Sequence, residues 1–495
     1  MAALSGFTGC SIKKTPNIKK PNIVYILCDD MGYGDLSCLN ENSKVKTPNM
    51  DEIAREGMIF TDAHSSSSVC TPTRYGLLTG RYNWRSRLKN GVLGGYSTHL
   101  IDPDRMTVAD LLRDNGYYTA CIGKWHLGWD WTKKSSKLTD VDFTGPVTNG
   151  PDVNGFDYYY AHCGSLDMAP YVYVQNGKAT AQPDRETESK DKYGWWRKGP
   201  TASDFHHEDV TPNFARRGAK YIKERATTGK PFFLYLPLPS PHTPILPTKE
   251  FQGKSGINPY CDFVMLVDDC IGRITKAIDD SGVKENTIII LTADNGCSPA
   301  AKIDEMLAKD HNPSYKFRGH KADIYEGGHR IPFILRWPAA VKAGSHCNDT
   351  TCLVDLMATC ADILNVEIPD NAAEDSVSML PNLLGTATGP VREATVHHSI
   401  NGSFSIRQGK WKLELCGGSG GWSAPRPGKA TEGLPPVQLY DLSKDIAEKH
   451  NLQDKHPDVV KRLTALLQQY VDNGRSTPGK PQTNEGQTPI MKKTK

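Results

Sequence analysis

Continuous apolar runs are the first feature of the chain. Residues 22–28, 232–236 and Thr287–Ala293 carry almost no polar interruption. Such runs predict strands buried on both faces, as in a parallel sheet covered by helices. Shorter runs at 58–60, 117–122 and 331–337 predict further strands. Between them lie helical patterns. Thr47-Pro48 followed by Asp51 and Glu52 marks a helix start, 107–115 is amphipathic and closed by Gly116, and 258–281 and 352–364 are longer helices. Residues 129–215 read as loop, with aromatic clusters at Tyr158-Tyr159-Tyr160 and Trp195-Trp196. Near Gly385 the pattern changes to short alternating segments (403–407, 410–415, 438–441) and a last helix at 457–471, which predicts a small antiparallel sheet with one helix. The expected organisation is a leader remnant and linker at 1–20, a large α/β domain at 21–385, an α+β subdomain at 386–474 and a disordered polar tail at 475–495.

Composition narrows this picture. The 495 residues suffice for one large core and a smaller one. A net charge of +3 gives no case for nucleic acid as a partner. No apolar run reaches the length of a transmembrane helix. The 13 cysteines include no C-x-x-C pair, and the odd count argues against a complete disulfide framework. Thr8-Gly9-Cys10 resembles the end of a bacterial lipoprotein leader, so a lipid anchor at Cys10 and export to the periplasm or cell surface are expected.

The candidate chemistry lies where the apolar runs end. Asp29-Asp30 follows the first run and Asp294-Asn295-Gly296 follows 287–293. Carboxylates at the carboxyl edge of a buried sheet need a cation, and α/β sheets bind ligands at that edge. Hard oxygen ligands suit calcium or magnesium better than zinc. Cys70-Thr71-Pro72-Thr73-Arg74 fits the first turn of a helix, with Pro72 tolerated there and Arg74 on the same face as Cys70. A helix N-terminus favours an anion, and Arg74 can grip an oxyanion. For a cysteine alone, a buried structural role is the alternative. Lys124 and His126 are two apart at the end of another strand, so an extended backbone puts them on one side. His242 stands in a Pro-flanked loop after 232–236, a rigid mount for a catalytic histidine.

Cys70-Thr71-Pro72-Thr73-Arg74 with Leu78-Thr79-Gly80-Arg81 resembles the signature of the type I sulfatases. Gly123-Lys124-Trp125-His126, His242, and Lys321 four residues before Tyr325-Glu326-Gly327-Gly328 match further family positions, and the likeness runs through most of 21–450. The resemblance implies an alkaline-phosphatase-like fold with a mixed sheet between helices, and a smaller C-terminal subdomain. It implies oxidation of Cys70 to formylglycine by a maturation enzyme, and one calcium ion held by Asp29, Asp30, Asp294, Asn295 and the modified Cys70. One hydroxyl of the hydrated aldehyde would attack sulfur. His242, with Lys321, would protonate the leaving alcohol, and His126 would take a proton from the second hydroxyl. Arg74, Lys124 and Lys321 would offset negative charge. Ser165 matches a sulfate-contacting serine of some members. His162, Asp167, His206 and His207 are candidate sugar contacts, with an exposed loop as the alternative, and Arg318 rivals Lys321. Asn83-Trp84-Arg85 and 165–171 look like blocks of bacterial carbohydrate sulfatases acting on galactose or N-acetylgalactosamine, which favours a 6-sulfate over a 4-sulfate. The alternatives are a phosphatase, phosphonate hydrolase or phosphomutase of the same fold, or an inactive glycan-binding protein.

Overall fold

The structure, a computed structural model, describes residues 19–492; Cys10 and the expected anchor lie outside them. Ten strands form one mixed sheet. Its centre is four adjacent parallel strands: β10 (Thr287–Ala293), β1 (Asn22–Asp29), β9 (Phe232–Pro241) and β3 (Tyr118–Lys124), in that order. β1 pairs with β10 in unbroken register from Asn22 to Cys28. Against β9 its register shifts between Leu27 and Asp29, so the strand ends irregularly just where its carboxylates begin. The side chains of 23–28 are almost wholly buried, as the uninterrupted apolar run requires. β11 (Phe333–Arg336) pairs antiparallel with β10, and β2 (Met58–Phe60) and β12 (Ser345–Cys347) complete that edge.

The expectation of loop over 129–215 is corrected. β4 (Tyr158–His162) joins the sheet parallel to β3, and β5 (Val174–Gln175) and β6 (Lys178–Ala179) extend it. β7 (Pro183–Ser189) and β8 (Trp196–Ala202) form a separate hairpin. The tyrosines of β4 are strand residues: Tyr159 and Tyr160 are buried, and Tyr160 stacks on Tyr173. Helix α4 (Val210–Ala226) follows and packs with α5 (Pro259–Asp280) against β9. Asn258 caps α5 by accepting from the Cys261 N–H. α1 (Pro48–Arg55), α2 (Cys70–Thr79), α3 (Val108–Asp114) and α6 (Leu356–Leu364) supply the remaining main helical cover.

The C-terminal unit is a four-stranded antiparallel sheet of β13 (Thr395–His398), β14 (Phe404–Gln408), β15 (Trp411–Glu414) and β16 (Gln438–Asp441), backed by α7 (Pro457–Asp472). Its apolar core also takes in Tyr82 and Trp84. The Asn83-Trp84-Arg85 block is therefore buried structure. Arg85 grips Asp375 with two hydrogen bonds of 2.8 Å. The tail after Gly474 is not a solvated strand of chain either. Thr483 O accepts from Arg81, Asn484 Oδ1 from Arg85, and the Glu485 N–H donates to Arg85 O. Every described cysteine is a free thiol. No helix among the described residues is long and apolar enough to cross a membrane.

Candidate active site

Each of the four central parallel strands delivers polar residues at its carboxyl end, where they converge. β1 supplies Asp29 and then Asp30, β10 leads to Asp294 and Asn295, β9 to His242, and β3 ends in Lys124 just before His126. α2 begins at Cys70 against the same edge. Ligand oxygens of Asp29 and Asp294 and the Cys70 sulfur all lie within 4.8 Å of one another, as do groups of Asp29, Asp30 and His242.

The carboxylates are held by three buried cations. Lys124 Nζ donates to Asp29 Oδ2 and, at 2.8 Å, to Ser165 Oγ. Arg74 donates from Nε and Nη2 to Asp294 Oδ2 (3.2 and 2.7 Å), and its Nη1 holds Lys124 O at 2.8 Å. Lys321 Nζ lies 2.6 and 2.7 Å from the two oxygens of Asp30. Asn295 Nδ2 donates to Asp30 Oδ1 (2.7 Å) and Gly296 O, so its Oδ1 is the free acceptor. Asp29 Oδ1 and that Asn295 Oδ1 are buried without any partner. Two orphaned oxygens beside two further carboxylates suit a hard divalent cation.

Burial and mutual repulsion govern the titrations. Burial alone would raise Asp29, but Lys124, His242, Arg74 and Lys321 hold it well below the ordinary carboxylate value. Burial and then the charge of Asp29 push Asp294 up to about 7 against the pull of Arg74. Burial raises the Cys70 thiol despite Lys124 and Lys321, so the unmodified sulfur is not poised as a thiolate. Burial, then Lys124 and Arg74, keep His126 neutral.

The two histidines are anchored through opposite ring nitrogens. His126 donates from Nε2 to Leu93 O (2.8 Å), which leaves a buried, unpartnered lone pair on Nδ1. His242 donates from Nδ1 to Thr243 O (2.6 Å), and its Nε2 stands 3.6 Å from Asp30 Oδ2. Extended backbone is not what brings Lys124 and His126 together. His126 has φ of 53°, in the left-handed region, as does Asp30 at 63°. Non-glycine residues pay for that conformation in strain, and such positions cluster at functional sites.

Above the converged residues is a cavity of about 300 Å³. Cys70, His242 and Lys321 are on its wall, with Ser165 and Asp167 from the loop after β4. Asp167 is 3% exposed; Arg197 pairs with its Oδ2, and Oδ1 has no partner. Four other sequence candidates do not line this cavity. His162 is fully buried, with Nδ1 2.9 Å from Gly164 O and Nε2 3.2 Å from Pro170 O, and burial lowers it to about 4. His206 is exposed, and His207 stacks on Trp196 with ring centres 4.0 Å apart. Arg318 donates to Glu448 O (2.6 Å) and lies over Tyr325. The missed lining residues are Trp195, Arg197 and Trp422. Only the Trp195-Trp196 pair stood out in the sequence, since Trp422 follows a glycine-rich stretch with no periodic signal. A larger groove of about 570 Å³ lies elsewhere, and its arginines 330, 392 and 407 are all engaged in ion pairs.

Residues 21–366 match the family model described as Sulfatase. The chain belongs to the sulfatase family. It is 34% identical to an N-acetylgalactosamine-6-O-sulfatase of Bacteroides thetaiotaomicron over 93% of this chain and 96% of that protein. It is 31% identical to arylsulfatase A of Homo sapiens, covering 96% and 92%. A solved Bacteroides thetaiotaomicron structure, from work on the metabolism of multiple glycosaminoglycans, superposes with a TM-score of 0.79 at 34% identity, covering 91% of this chain and 99% of that one. The sulfatase assignment carries the alkaline-phosphatase-like fold with it and makes the chain a sulfuric ester hydrolase.

Proposed function

We propose that this sulfatase releases inorganic sulfate from a sulfated saccharide, with N-acetylgalactosamine or galactose 6-sulfate as the preferred substrate and the 4-sulfate second. The observation that carries the reading is the convergence on Cys70 of four carboxylate or amide oxygen donors and three buried cations. The sugar class rests on the 34% identical relative and on the cavity above Cys70, whose wall joins the Asp167 carboxylate to two tryptophans.

Asp29, Asp30, Asp294 and Asn295 are the residues that would hold calcium, which supplies Lewis acidity toward the sulfate oxygens. Cys70, converted by a formylglycine-generating enzyme, supplies the nucleophilic oxygen. The remaining chemistry belongs to side chains present in the chain. Arg74, Lys124 and Lys321 face the sulfate group and offset the charge that grows on it. Ser165 accepts a second hydrogen bond from the Lys124 ammonium and fixes it. His242, anchored through Nδ1 to Thr243 O with Nε2 facing Asp30, is the residue placed to deliver a proton to the leaving sugar oxygen. His126 accepts a proton at its open Nδ1 when sulfate is expelled. Asp167 Oδ1 accepts from a sugar hydroxyl, while Arg197 keeps that carboxylate oriented. We assign no substrate role to His162, His206, His207 or Arg318. Export to a bacterial periplasm or surface, with Cys10 as lipid anchor, is the location this reading carries.

The test is a panel of N-acetylgalactosamine 6-sulfate, its 4-sulfate and the matched 6-phosphate, offered to matured protein with ion chromatography of the released anion. Fastest sulfate release from the 6-sulfate is expected. Faster release of phosphate than of sulfate would overturn the proposal.

A further inference from the structure

The indole of Trp422 is 37% exposed, which is unusual for so large an apolar side chain. The backbone that carries it is nevertheless held in place by a network of hydrogen bonds. Asp323, fully buried, accepts from the Trp422 N–H (2.8 Å), the Ser423 N–H (2.9 Å), the His320 N–H (3.0 Å) and the Ser423 hydroxyl. Arg426 Nε donates to Trp422 O at 2.6 Å. Ser419 accepts from the Gly421 N–H and donates to Ser423 O. Gly421 packs so closely that a Cβ there would meet Ala322 O at 2.3 Å. Ala322 itself is left-handed, with φ of 79°. Its neighbours in sequence divide the work: Lys321 reaches Asp30 in the sulfate site, and Asp323 reaches the loop that carries Trp422.

A buried carboxylate with four donors is a costly device for fixing an exposed residue unless its position matters. Trp422 lines the same cavity as Cys70, His242 and Lys321, and Trp195 comes to that cavity from the β7–β8 hairpin. The cavity thus combines a sulfate-facing floor, a buried carboxylate oxygen without a partner on Asp167, and two indoles. That is the chemistry of a pyranose: hydroxyls on the edge and an apolar C–H face. Resting on the saccharide reading above, we infer that Trp422 is a specificity-determining platform. The loop between β15 and β16 brings it to the catalytic cavity, where it stacks on the sugar and is positioned by Asp323.

The test compares wild type with Trp422→Ala and Trp422→Phe on a disaccharide ending in N-acetylgalactosamine 6-sulfate. Because the indole is partly exposed, its removal leaves no closed core cavity. We expect KM to rise about tenfold in Trp422→Ala, the size of one lost stacking contact, and Trp422→Phe to restore most of it. Inhibition by inorganic sulfate should hold, since Arg74, Lys124 and Lys321 are untouched. A KM within twofold of wild type would overturn the inference, and so would an equal weakening of sulfate inhibition. Wild-type turnover tests the saccharide reading by itself. Saturation-transfer NMR with the desulfated disaccharide on unmodified protein reads Trp422 without turnover: loss of transfer in Trp422→Ala supports the platform, and unchanged transfer rejects it.

Discussion

His242→Ala should separate two kinds of substrate. A sugar alkoxide is a far poorer leaving group than a nitrophenolate, so protonation at the leaving oxygen matters most for the sugar. General acid catalysis is worth roughly 10²–10⁴-fold, and that loss is expected on a sugar 6-sulfate, with a much smaller one on nitrophenyl sulfate. Equal losses would make His242 a sulfate ligand only, with the acid to be sought at Lys321 or His320. Asp29 gives a second prediction at this scale. Its Oδ1 and that of Asn295 are buried and unpartnered. Calcium that binds the folded protein there raises Tm by mass action. Thermal unfolding of wild type should shift upward with millimolar calcium, and that of Asp29→Asn should shift much less. An identical calcium shift in both would place the cation elsewhere.

At the scale of elements, the site was legible wherever a strand was. The runs at 22–28, 232–236 and Thr287–Ala293 have one reading because both faces are buried, and each is followed at once by its polar residues. Helix α2 was legible from Pro72 and the one-turn spacing of Cys70 and Arg74. β4 was not, because three tyrosines with no aliphatic run read as a loop cluster until Tyr173, Phe214 and Tyr221 are seen packed on them. α4 was hidden by Pro212 and Gly218 inside a basic segment; Pro212 falls in its first turn, where it costs little. The wall of the cavity was illegible for a different reason. Trp195 and Arg197, at the start of β8, lie more than 200 residues from Trp422 in the chain, and no local pattern joins them. One element yields a stability prediction. The turn after α2 carries Arg85, fully buried and bidentate to the equally buried Asp375. Removing one partner of such a pair costs about 3–5 kcal/mol. Arg85→Ala should therefore lower Tm by several degrees although it lies outside the cavity; an unchanged Tm would contradict this account of the block.

The whole molecule carries an acid-sensitive histidine cluster beside the C-terminal sheet. His64, His329 and His397 lie ring against ring there, close to Asp62, Glu326 and Lys412, and burial is the first cause that keeps all three imidazoles neutral. Elsewhere burial lowers His162 to about 4 and His398 to about 3. In the unfolded chain a histidine takes up its proton near pH 6.5, whereas these folded sites refuse it. The unfolded state thus binds more protons as pH falls below 6.5, and stability drops by about 1.4 kcal/mol per pH unit for each such histidine until its folded value is reached. Asp294, raised to about 7, Asp268 and Asp355, raised to about 6, and the buried Glu414 and Glu448, also raised by burial, take up protons early and work in the opposite sense, offsetting part of the loss. Tm should decline steadily from pH 6.5 to 4.5, and a flat profile would contradict the burial of these rings. The most direct test of the central claim concerns Cys70 itself. Protein produced with graded amounts of a formylglycine-generating enzyme is assayed for sulfate release from N-acetylgalactosamine 6-sulfate, and the converted fraction of Cys70 is measured by peptide mass spectrometry. Activity should rise in proportion to that fraction and vanish in Cys70→Ala; equal activity from wholly unconverted protein would contradict the account.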